Sequence, residues 1–229
     1  MSNKKHSIKR VNGTHKKTGL YTDQETFWAG AFGDDYTHRN KGDQWIASNL
    51  ALFSKILGST AKVRSILELG ANLGLNLQAL RSLIPQAELS AVEINRRAVG
   101  KLKQLGGINV YHTSLIGFEA PSQHDFVFTK GVLIHINPEK LPQVYDLMHA
   151  ASQRYICVAE YYNPTPVAIP YRGHAERLFK RDFAGELMKR HHDLRLVDYG
   201  FVYRDDPNYP QDDLTWFLLE KAQGQSAEQ

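Results

Sequence analysis

The amino-acid sequence predicts an α/β protein whose mostly parallel sheet is wrapped by helices on both faces. Strand-like and helical segments alternate from residue 63 onward, which is typical of parallel strands joined by crossover helices. One strand runs into a glycine-containing turn within SILELGANLGLN, residues 65–76. The last two strand-like segments are separated only by a polar loop, so they are expected to pair antiparallel.

Length and composition indicate one globular domain with a sizeable core. The chain has 229 residues, of which 42% are hydrophobic and 23% charged. The single cysteine, Cys157, excludes an internal disulfide and fits a reducing cytoplasm. No apolar run reaches the ~18 residues that cross a bilayer, and the first residues do not resemble a secretory signal. We therefore expect a cytoplasmic protein without a membrane partner.

The net charge of +4 comes from the N-terminus. Residues 1–17 hold six lysines and arginines and no acid, which leaves 22 basic and 24 acidic residues in the rest of the chain. This pattern favours a disordered basic tail over a nucleic-acid-binding arm, so no nucleic acid is expected as a partner. The predicted organisation is a tail at 1–17, a helical lid or cap segment at 18–60, an α/β ligand-binding domain at 61–222 and a tail at 223–229.

The segment before the sheet is predicted to be helical. Thr22 and Glu25 have the spacing of a capping box, so a short helix begins at Thr22, and Gly30 and Gly33 are expected to end it. A second helix begins near Asp43 and closes at Gly58. Apolar residues repeat along it at helical spacing: Ile46, Leu50, Phe53 and Leu57.

The alternating part of the chain divides into regular elements. Strands are predicted at residues 63–69, 89–94, 108–111, 126–129 and 154–160. Helices are predicted at residues 75–84, 96–105 and 182–191, with a further helix that Asn137 caps. The final strands lie within residues 194–204 and 214–221. Residues 161–174 are predicted to be a loop stiffened by three prolines.

The glycine-containing turn indicates a nucleoside ligand. Gly70 and Gly74 let the chain bend and let a ligand approach, and Glu93 at the end of the next strand can accept hydrogen bonds from ribose hydroxyls. Either a nicotinamide dinucleotide or S-adenosylmethionine fits these features. Asn72 stands where a dinucleotide site has its middle glycine, and Glu68 disfavours a diphosphate. S-adenosylmethionine, which is cationic and carries no phosphate, is therefore favoured.

Several segments resemble known families. ELGANLG, AVEIN and HDFVFTKGVLIHI resemble successive motifs of class I S-adenosylmethionine-dependent methyltransferases. ETFWAGAFGDDYTHRN, KGVLIHINPEKL, AEYYNPTPVAIPYRGHAERLFKRDFAGE and YPQDDLTWFLLEK resemble pseudaminic acid biosynthesis-associated methylases, over roughly residues 20–221. The resemblance implies a Rossmann-like, seven-stranded sheet with a terminal antiparallel hairpin. It also implies S-adenosylmethionine as cofactor and a small polar acceptor linked to nonulosonic (pseudaminic) acid metabolism.

The same resemblance implies a set of cofactor-binding residues. They are Glu68, Gly70, Ala71, Asn72, Gly74, Glu93, Ile94, Ser114, Leu115, Lys130 and Gly131. In this set Glu93 would hold the ribose, while Ile94 and the pair Ser114 and Leu115 would contact adenine. The acid usual after the third strand is absent, since Thr113-Ser114 stands there. Lys130 would face either the cofactor carboxylate or an acidic acceptor.

Three residues are candidates for catalysis. Methyl transfer depends mainly on placing the nucleophile in line, and a base helps only when the acceptor must lose a proton. His135 is the candidate base, with a structural histidine as the alternative. Asn137 lies at the predicted rim, with a helix cap as the alternative. Tyr171 could present its ring face to the sulfonium.

Further polar and aromatic residues are candidates for binding the acceptor. They are Trp28, Tyr36, Arg39, Tyr161, Arg172 and His174. The first three would belong to a lid, or alternatively to a helix packed on the core, and the last three to a stiff wall after the fifth strand, or to a packed crossover. Asp212 and Asp213 are interpreted as turn caps. No metal is predicted, because no cysteine–histidine cluster has ligand spacing.

Two other function classes stay open. One is an enzyme of the azetidine-2-carboxylate synthase type, which cyclises S-adenosylmethionine and releases methylthioadenosine. The other is a non-catalytic module that only binds the cofactor. The oligomeric state cannot be predicted from these residues.

Overall fold

Parallel strands alternate with helices in the computed structural model, which describes residues 22–39 and 42–222. The helices are α1 (Asp23–Ala29), α2 (Ala31–Arg39), α3 (Asp43–Gly58), α4 (Leu75–Leu83), α5 (Arg96–Gln104), α6 (Leu141–Ala151) and α7 (Phe183–Arg190). The strands are β1 (Ser65–Leu69), β2 (Glu88–Glu93), β3 (Ile108–His112), β4 (His124–Lys130), β5 (Ser152–Glu160), β6 (Val167–Tyr171), β7 (His174–Lys180), β8 (Leu194–Val202) and β9 (Leu214–Lys221). The predicted tails at 1–17 and 223–229 lie outside the described residues.

The main sheet has the predicted mixed topology. Its seven strands follow the order β3-β2-β1-β4-β5-β9-β8. Strands β1 to β5 pair in parallel, whereas β9 is antiparallel to both β5 and β8. The expected fold class and terminal antiparallel hairpin are therefore confirmed. The strand order reverses between β1 and β4, and in open α/β sheets such a point opens a crevice at the carboxyl ends of the strands.

Both faces of the sheet are buried, as helices on two sides require. Strand β4 illustrates the alternation, because Phe126 and Phe128 belong to the core beneath α3 and α4, while Val127 belongs to the core beneath α6 and α7. The ring of Phe128 lies 5.1 Å from the ring of Phe53 in α3. Full burial of a phenylalanine side chain stabilises the folded protein by about 1.5–3 kcal/mol. The apolar layers on both faces therefore hold β4, and with it the carboxyl edge of the sheet, in place.

The N-terminal helices follow the capping prediction only in part. Thr22 caps α1 by accepting a hydrogen bond from the Glu25 N–H, as expected, and Gly30 separates α1 from α2. The prediction that Gly33 also breaks the helix is wrong, since Gly33 lies inside α2. A Cβ at this position would lie 1.9 Å from the Trp28 carbonyl oxygen. Glycine is therefore required here for close approach and not for helix termination.

Replacing Gly33 with alanine is expected to separate α2 from the end of α1, at a cost of about 1–3 kcal/mol typical of overpacking. Hydrogen exchange of the amides in α1 and α2 measures this loss. Gly100→Ala is the matched control, because a Cβ there meets nothing within 4 Å and α5 should gain up to about 1 kcal/mol. Equal protection of α1 and α2 in the two variants would contradict the packing role.

The predicted loop at 161–174 is partly wrong, because it contains β6 and the start of β7. These strands form a separate antiparallel hairpin closed by the turn at Arg172 and Gly173. A proline such as Pro170 argues against a strand, because it cannot donate a ladder hydrogen bond. Pro170 stands where the register of the hairpin shifts, opposite a bulge in β7. A proline opposite a bulge removes no ladder hydrogen bond, which reconciles it with a strand.

The remaining boundaries agree with the sequence to within a few residues. Strand β1 begins at Ser65 instead of residue 63, and Asn137 caps a short 3-10 turn, Pro138–Lys140, that precedes α6. None of the described helices combines the length and apolar character that crossing a bilayer requires.

Candidate active site

A cavity opens at the carboxyl ends of β1, β2 and β4, where the strand order reverses. Its walls come from the turn after β1, the residues after β2, β3 and β4, helices α1 to α3, and the residues before β9. Most of the predicted cofactor-binding residues lie here: Gly70, Ala71, Asn72, Glu93, Ile94, Ser114, Leu115, Lys130 and Gly131. Their roles as ligands stay predictions.

The turn after β1 is held to the end of β2. Gly70 and Ala71 both donate hydrogen bonds to the Val92 carbonyl, at 2.8 and 3.1 Å. Gly70 has a φ of +82°, and a Cβ there would lie 2.7 Å from the side chain of Val132. Gly74 has a φ of +75°, and a Cβ there would lie 2.6 Å from the side chain of Leu102. Gly74 is not among the residues that line the cavity. Protein packing, more than ligand approach, requires these glycines.

Glu93 organises the cavity wall beside this turn. It is 7% exposed, and its two carboxylate oxygens accept hydrogen bonds from the backbone N–H groups of Asn72, at 2.7 Å, and Asn95, at 2.6 Å. Burial raises the pKa of Glu93, and these backbone donors oppose the rise. Each carboxylate oxygen keeps a further lone pair, so Glu93 can still accept hydrogen bonds from two ligand hydroxyls.

Glu68 lies behind the cavity and not in its wall. It is buried, and one of its oxygens accepts a 2.6 Å hydrogen bond from the Asn76 amide, which does line the cavity. Burial raises the pKa of Glu68 to about 8, although Asn76 and the Lys130 ammonium oppose this. Its second oxygen and the Asn76 side-chain oxygen are buried without hydrogen-bond partners among the described residues. The sequence therefore identified Glu68 but missed Asn76, the residue between it and the cavity.

His135 is positioned by β7. It stands in a 3-10 turn, Leu133–His135, and is 9% exposed. Its Nδ1 lies 2.6 Å from the Arg177 carbonyl oxygen, which can only accept, so Nδ1 carries the proton and Nε2 keeps a free lone pair. Burial lowers the pKa of His135 to about 4. The imidazole is thus neutral at pH 7 and able to accept a proton at Nε2.

Aromatic rings surround this imidazole. Its centroid lies 4.6 Å from the Trp28 ring and 4.9 Å from the Tyr171 ring. Trp28, Tyr36 and Tyr171 all line the cavity. Helices α1 and α2, together called the cover, therefore contribute to the wall of the cavity of their own chain, and a lid role for this segment stays a prediction.

The cover is attached to the hairpin through a bulge in β7. Glu176 has a φ of +54°, which is unusual for a residue with a side chain. Its carbonyl oxygen accepts a 3.1 Å hydrogen bond from the Gln24 amide of α1, and the next carbonyl, that of Arg177, accepts from His135. The Arg177 guanidinium also lies 5.4 Å from the Phe27 ring centre. One distorted stretch of strand thus contacts both the cover and the candidate base.

The other predicted residues separate into two groups. Tyr161 and Asn137 line the cavity, and Asn137 also caps its 3-10 turn by accepting from the Glu139 N–H at 2.9 Å. Arg172 and His174 are exposed in the hairpin and do not line the cavity. Arg39 ends α2, and its side chain lies outside what the structure describes.

The sequence missed several cavity residues. Trp45 and Asn49 of α3 line the cavity. Asp212, for which the sequence predicts a turn cap, lines it as well. The capping role belongs to Asp213, which accepts a hydrogen bond from the Arg204 N–H at 3.0 Å. Helical spacing marks Asn49 only as a neighbour of apolar positions, so no local pattern identifies it.

A second polar cluster lies away from the cavity. His149, His191 and Asp193 place potential ligand atoms within 4.8 Å of one another, a grouping that sequence spacing did not predict. The two imidazoles are stacked 4.0 Å apart and 4° from parallel, and His149 Nε2 lies 2.9 Å from Asp193. Parallel rings direct their lone pairs side by side instead of toward one point, so this arrangement is that of a hydrogen-bonded stack.

The topology is that of the Rossmann-like class I methyltransferase fold. No protein family and no curated protein matches the sequence. Among solved structures, a Burkholderia thailandensis 1,6-didemethyltoxoflavin-N1-methyltransferase is similar, with a TM-score of 0.64 and 12% identity over 93% of this chain and 99% of that one. It was solved with 1,6-didemethyltoxoflavin and S-adenosylhomocysteine.

Two further structures share the fold. A Leishmania major S-adenosylmethionine-dependent methyltransferase has a TM-score of 0.65 and 14% identity over 87% of each chain. A plantazolicin methyltransferase, solved with a pentazolic desmethylPZN analog and S-adenosylhomocysteine, has a TM-score of 0.61 and 11% identity over 87% of this chain and 95% of that one. At these identities the likeness establishes the fold.

Proposed function

We propose that the protein is a cytoplasmic S-adenosylmethionine-dependent methyltransferase that acts on a small polar molecule. The observation that carries this proposal is Glu93, an anchored carboxylate that faces the cavity beside the glycine-containing turn. Glu93 would hold the ribose hydroxyls, and Ile94 with Leu115 would contact the adenine ring. The structural neighbours solved with S-adenosylhomocysteine support the same cofactor.

The chain's own residues suit transfer to a hydroxyl or an amine. Bound S-adenosylmethionine would supply an already activated methyl group. The Nε2 of His135 would take the proton that the acceptor loses, while the Arg177 carbonyl holds the Nδ1 proton and so fixes the tautomer. Trp28 and Tyr171 would exclude water and offer ring faces to a cation.

The acceptor is proposed to be small because α1 and α2 cover the cavity. A link to nonulosonic (pseudaminic) acid metabolism rests on the sequence resemblance. The neighbours whose acceptors are named act on other small molecules, so they support the size class and not this particular chemistry.

A second candidate is cyclisation of S-adenosylmethionine with release of methylthioadenosine. The observation that favours it is the covered cavity in which aromatic rings lie 4.6 and 4.9 Å from His135. Cyclisation needs no second substrate, so an enclosed cavity suits it, and Asn137 and Tyr171 line that cavity, where they would contact the cofactor amine.

Mass spectrometry after incubation with S-adenosylmethionine distinguishes these functions. We expect S-adenosylhomocysteine to form only when a small-molecule cell extract is added. Methylthioadenosine above the uncatalysed background, without extract, would replace the proposal with the cyclase. Binding of S-adenosylhomocysteine without either product would indicate a non-catalytic module.

A further inference from the structure

The last strand of the main sheet, β8, carries a stripe of exposed aromatic side chains. Tyr199 is 65% exposed, Phe201 56% and Tyr203 50%. Tyr199 and Phe201 lie two residues apart on the strand and so face the same side of the sheet. Tyr203 follows the strand directly, and its ring centre lies 6.3 Å from that of Phe201.

Two further aromatic residues extend this stripe across the sheet. Phe217 of β9 is the register partner of Tyr199, and the two ring centres lie 6.3 Å apart. Tyr162, which follows β5, is also exposed, and its ring centre lies 5.8 Å from that of Phe217. We call these five residues the aromatic patch: Tyr162, Tyr199, Phe201, Tyr203 and Phe217.

The aromatic patch lies on the side of the sheet that carries α6 and α7. Leu219, two residues from Phe217 on β9, belongs to the core beneath these helices. Trp216 faces the other side, where a Cβ at its register partner Gly200 would lie 2.8 Å from its ring. The patch is therefore the outer margin of a core face, and this margin stays exposed among the residues that the structure describes.

Strand β8 is also an unprotected edge of the sheet. It stands at one end of the strand order, so within residues 22–39 and 42–222 no strand lies along its outer side. Its residues, 194–202, include neither proline nor lysine, which are common protections of an edge. The bulge that shifts its register lies between Leu196 and Asp198, before the aromatic residues. An edge of this kind is suited to pairing with another strand.

The size of the aromatic patch matches the apolar part of a stable dimer. An aromatic side chain buries about 150–250 Å², so five that are about half exposed offer roughly 500 Å². Two such patches that face each other would bury roughly 1,000 Å². A standard interface buries about 1,600 Å² in total, of which about 57% is apolar, or roughly 900 Å². A second copy of the same patch is therefore large enough to cover it.

The order of residues along β8 is self-complementary in an antiparallel arrangement. When a two-fold axis passes beside Phe201, this residue meets its own equivalent. Tyr199 then lies across from Tyr203 of the second copy, so the aromatic side chains pair along the whole stripe. Aromatic pairs across neighbouring strands stabilise a sheet.

The same register is complementary in charge. It brings Asp198 within reach of Arg204 of the second copy, twice in each dimer. Asp198 accepts hydrogen bonds from the Ser59 hydroxyl and the Tyr199 N–H, and it has no cationic partner in the described part of the chain. The Arg204 guanidinium is exposed, and its contact with Asp205 is 3.5 Å long. Both groups are thus available for an ion pair between copies.

We propose that the outer edge of β8 and the aromatic patch bind a second copy of this chain, with the two β8 strands antiparallel about a two-fold axis at Phe201. The partner is a second copy because one surface supplies both rows of aromatic rings and both members of each ion pair. The main sheet then continues through both copies. This association does not depend on what the cavity binds.

Sedimentation equilibrium of the full chain tests the association. We expect twice the 26.0 kDa mass of one chain. Phe201→Arg places two guanidinium groups together at the axis, so the dimer should weaken by at least about 100-fold, as like charges in an interface cause. Tyr209→Arg is the matched control, because Tyr209 is 51% exposed and follows Asn208, whose carbonyl accepts from Gln44 of α3 on the other side of the sheet. Circular dichroism should show that both variants keep the fold.

An exchange of charges tests the register. Asp198→Arg and Arg204→Asp each bring like charges together twice in a dimer, so each variant alone should associate at least about 10-fold more weakly. In an equimolar mixture of the two variants, every introduced charge meets an opposite charge. The mixture should therefore form the dimer that neither variant forms alone.

Four results would overturn the inference. They are a monomer at every concentration, a dimer that Phe201→Arg leaves intact, an equal loss in Tyr209→Arg, and species that grow beyond the dimer, since two-fold pairing closes. A mixture that fails to associate would overturn it as well, because the two strands would then not pair about Phe201.

Discussion

Replacing Glu93 with alanine is expected to weaken the binding of S-adenosylhomocysteine by about 100-fold or more. Two charge-assisted hydrogen bonds to the ribose would be lost, each contributing about 1.5–3 kcal/mol. The backbone N–H groups of Asn72 and Asn95 would also lose their acceptor, so the turn that shapes the cavity would loosen. Isothermal titration calorimetry measures the affinity, and thermal unfolding reports whether the fold survives.

Glu88→Ala is the matched control for this variant. Glu88 is the exposed first residue of the same strand, so its loss removes a carboxylate without altering the cavity. Glu93→Gln keeps one acceptor oxygen but directs an NH2 group at a backbone donor, and it should also bind weakly. An unchanged affinity in Glu93→Ala would refute the assignment of the ribose site.

Replacing His135 with alanine is expected to slow methyl transfer by about 100- to 10,000-fold, the usual contribution of a general base. The affinity for S-adenosylhomocysteine should change little, because the imidazole faces the acceptor side of the cavity in the proposed mechanism. Single-turnover rates with the acceptor identified from the extract give the comparison. His192→Ala, at an exposed position after α7, is the control. A variant that keeps the full rate would reduce His135 to a structural role.

The pH profile gives an independent check on the same residue. A base acts only while it is unprotonated, and burial holds the pKa of His135 at about 4 in the folded protein. The rate should therefore stay level as pH falls through 6.5, the usual pKa of histidine, and decline only as pH approaches 4. A half-maximal rate near pH 6.5 would instead indicate an exposed or differently placed base.

Local patterns were sufficient for most of the fold. Alternating apolar residues and turn residues mark each strand and helix of the main sheet, and a loop too short for a crossover required the final strands to be antiparallel. The hairpin of β6 and β7 could not be predicted in this way. Pro170 argues against a strand unless the bulge opposite it is known, and that bulge depends on Glu176 adopting a positive φ.

The candidate site divides in the same manner. Residues at the ends of strands, such as Glu93, follow from the topology, because all parallel strands end at one edge. Asn49 and Asp212 could not be predicted, since their positions in the cavity wall depend on how α3 and β9 pack on the sheet. Gly33 shows a related limit, because a helix-breaking residue can instead permit close approach when tertiary packing demands it.

The two adjacent carbonyls of Glu176 and Arg177 have a consequence for engineering the protein. The Glu176 carbonyl accepts a hydrogen bond from the Gln24 amide of the cover, and the Arg177 carbonyl accepts one from His135. The N-terminal helices and the hairpin therefore depend on each other, although about 150 residues separate Gln24 from Glu176 along the chain. A chimera that imports only the N-terminal helices of a relative removes the Gln24 amide from the Glu176 carbonyl, and one that imports only the hairpin replaces the strand that holds the His135 imidazole. The two segments are therefore transplantable only when they are exchanged together.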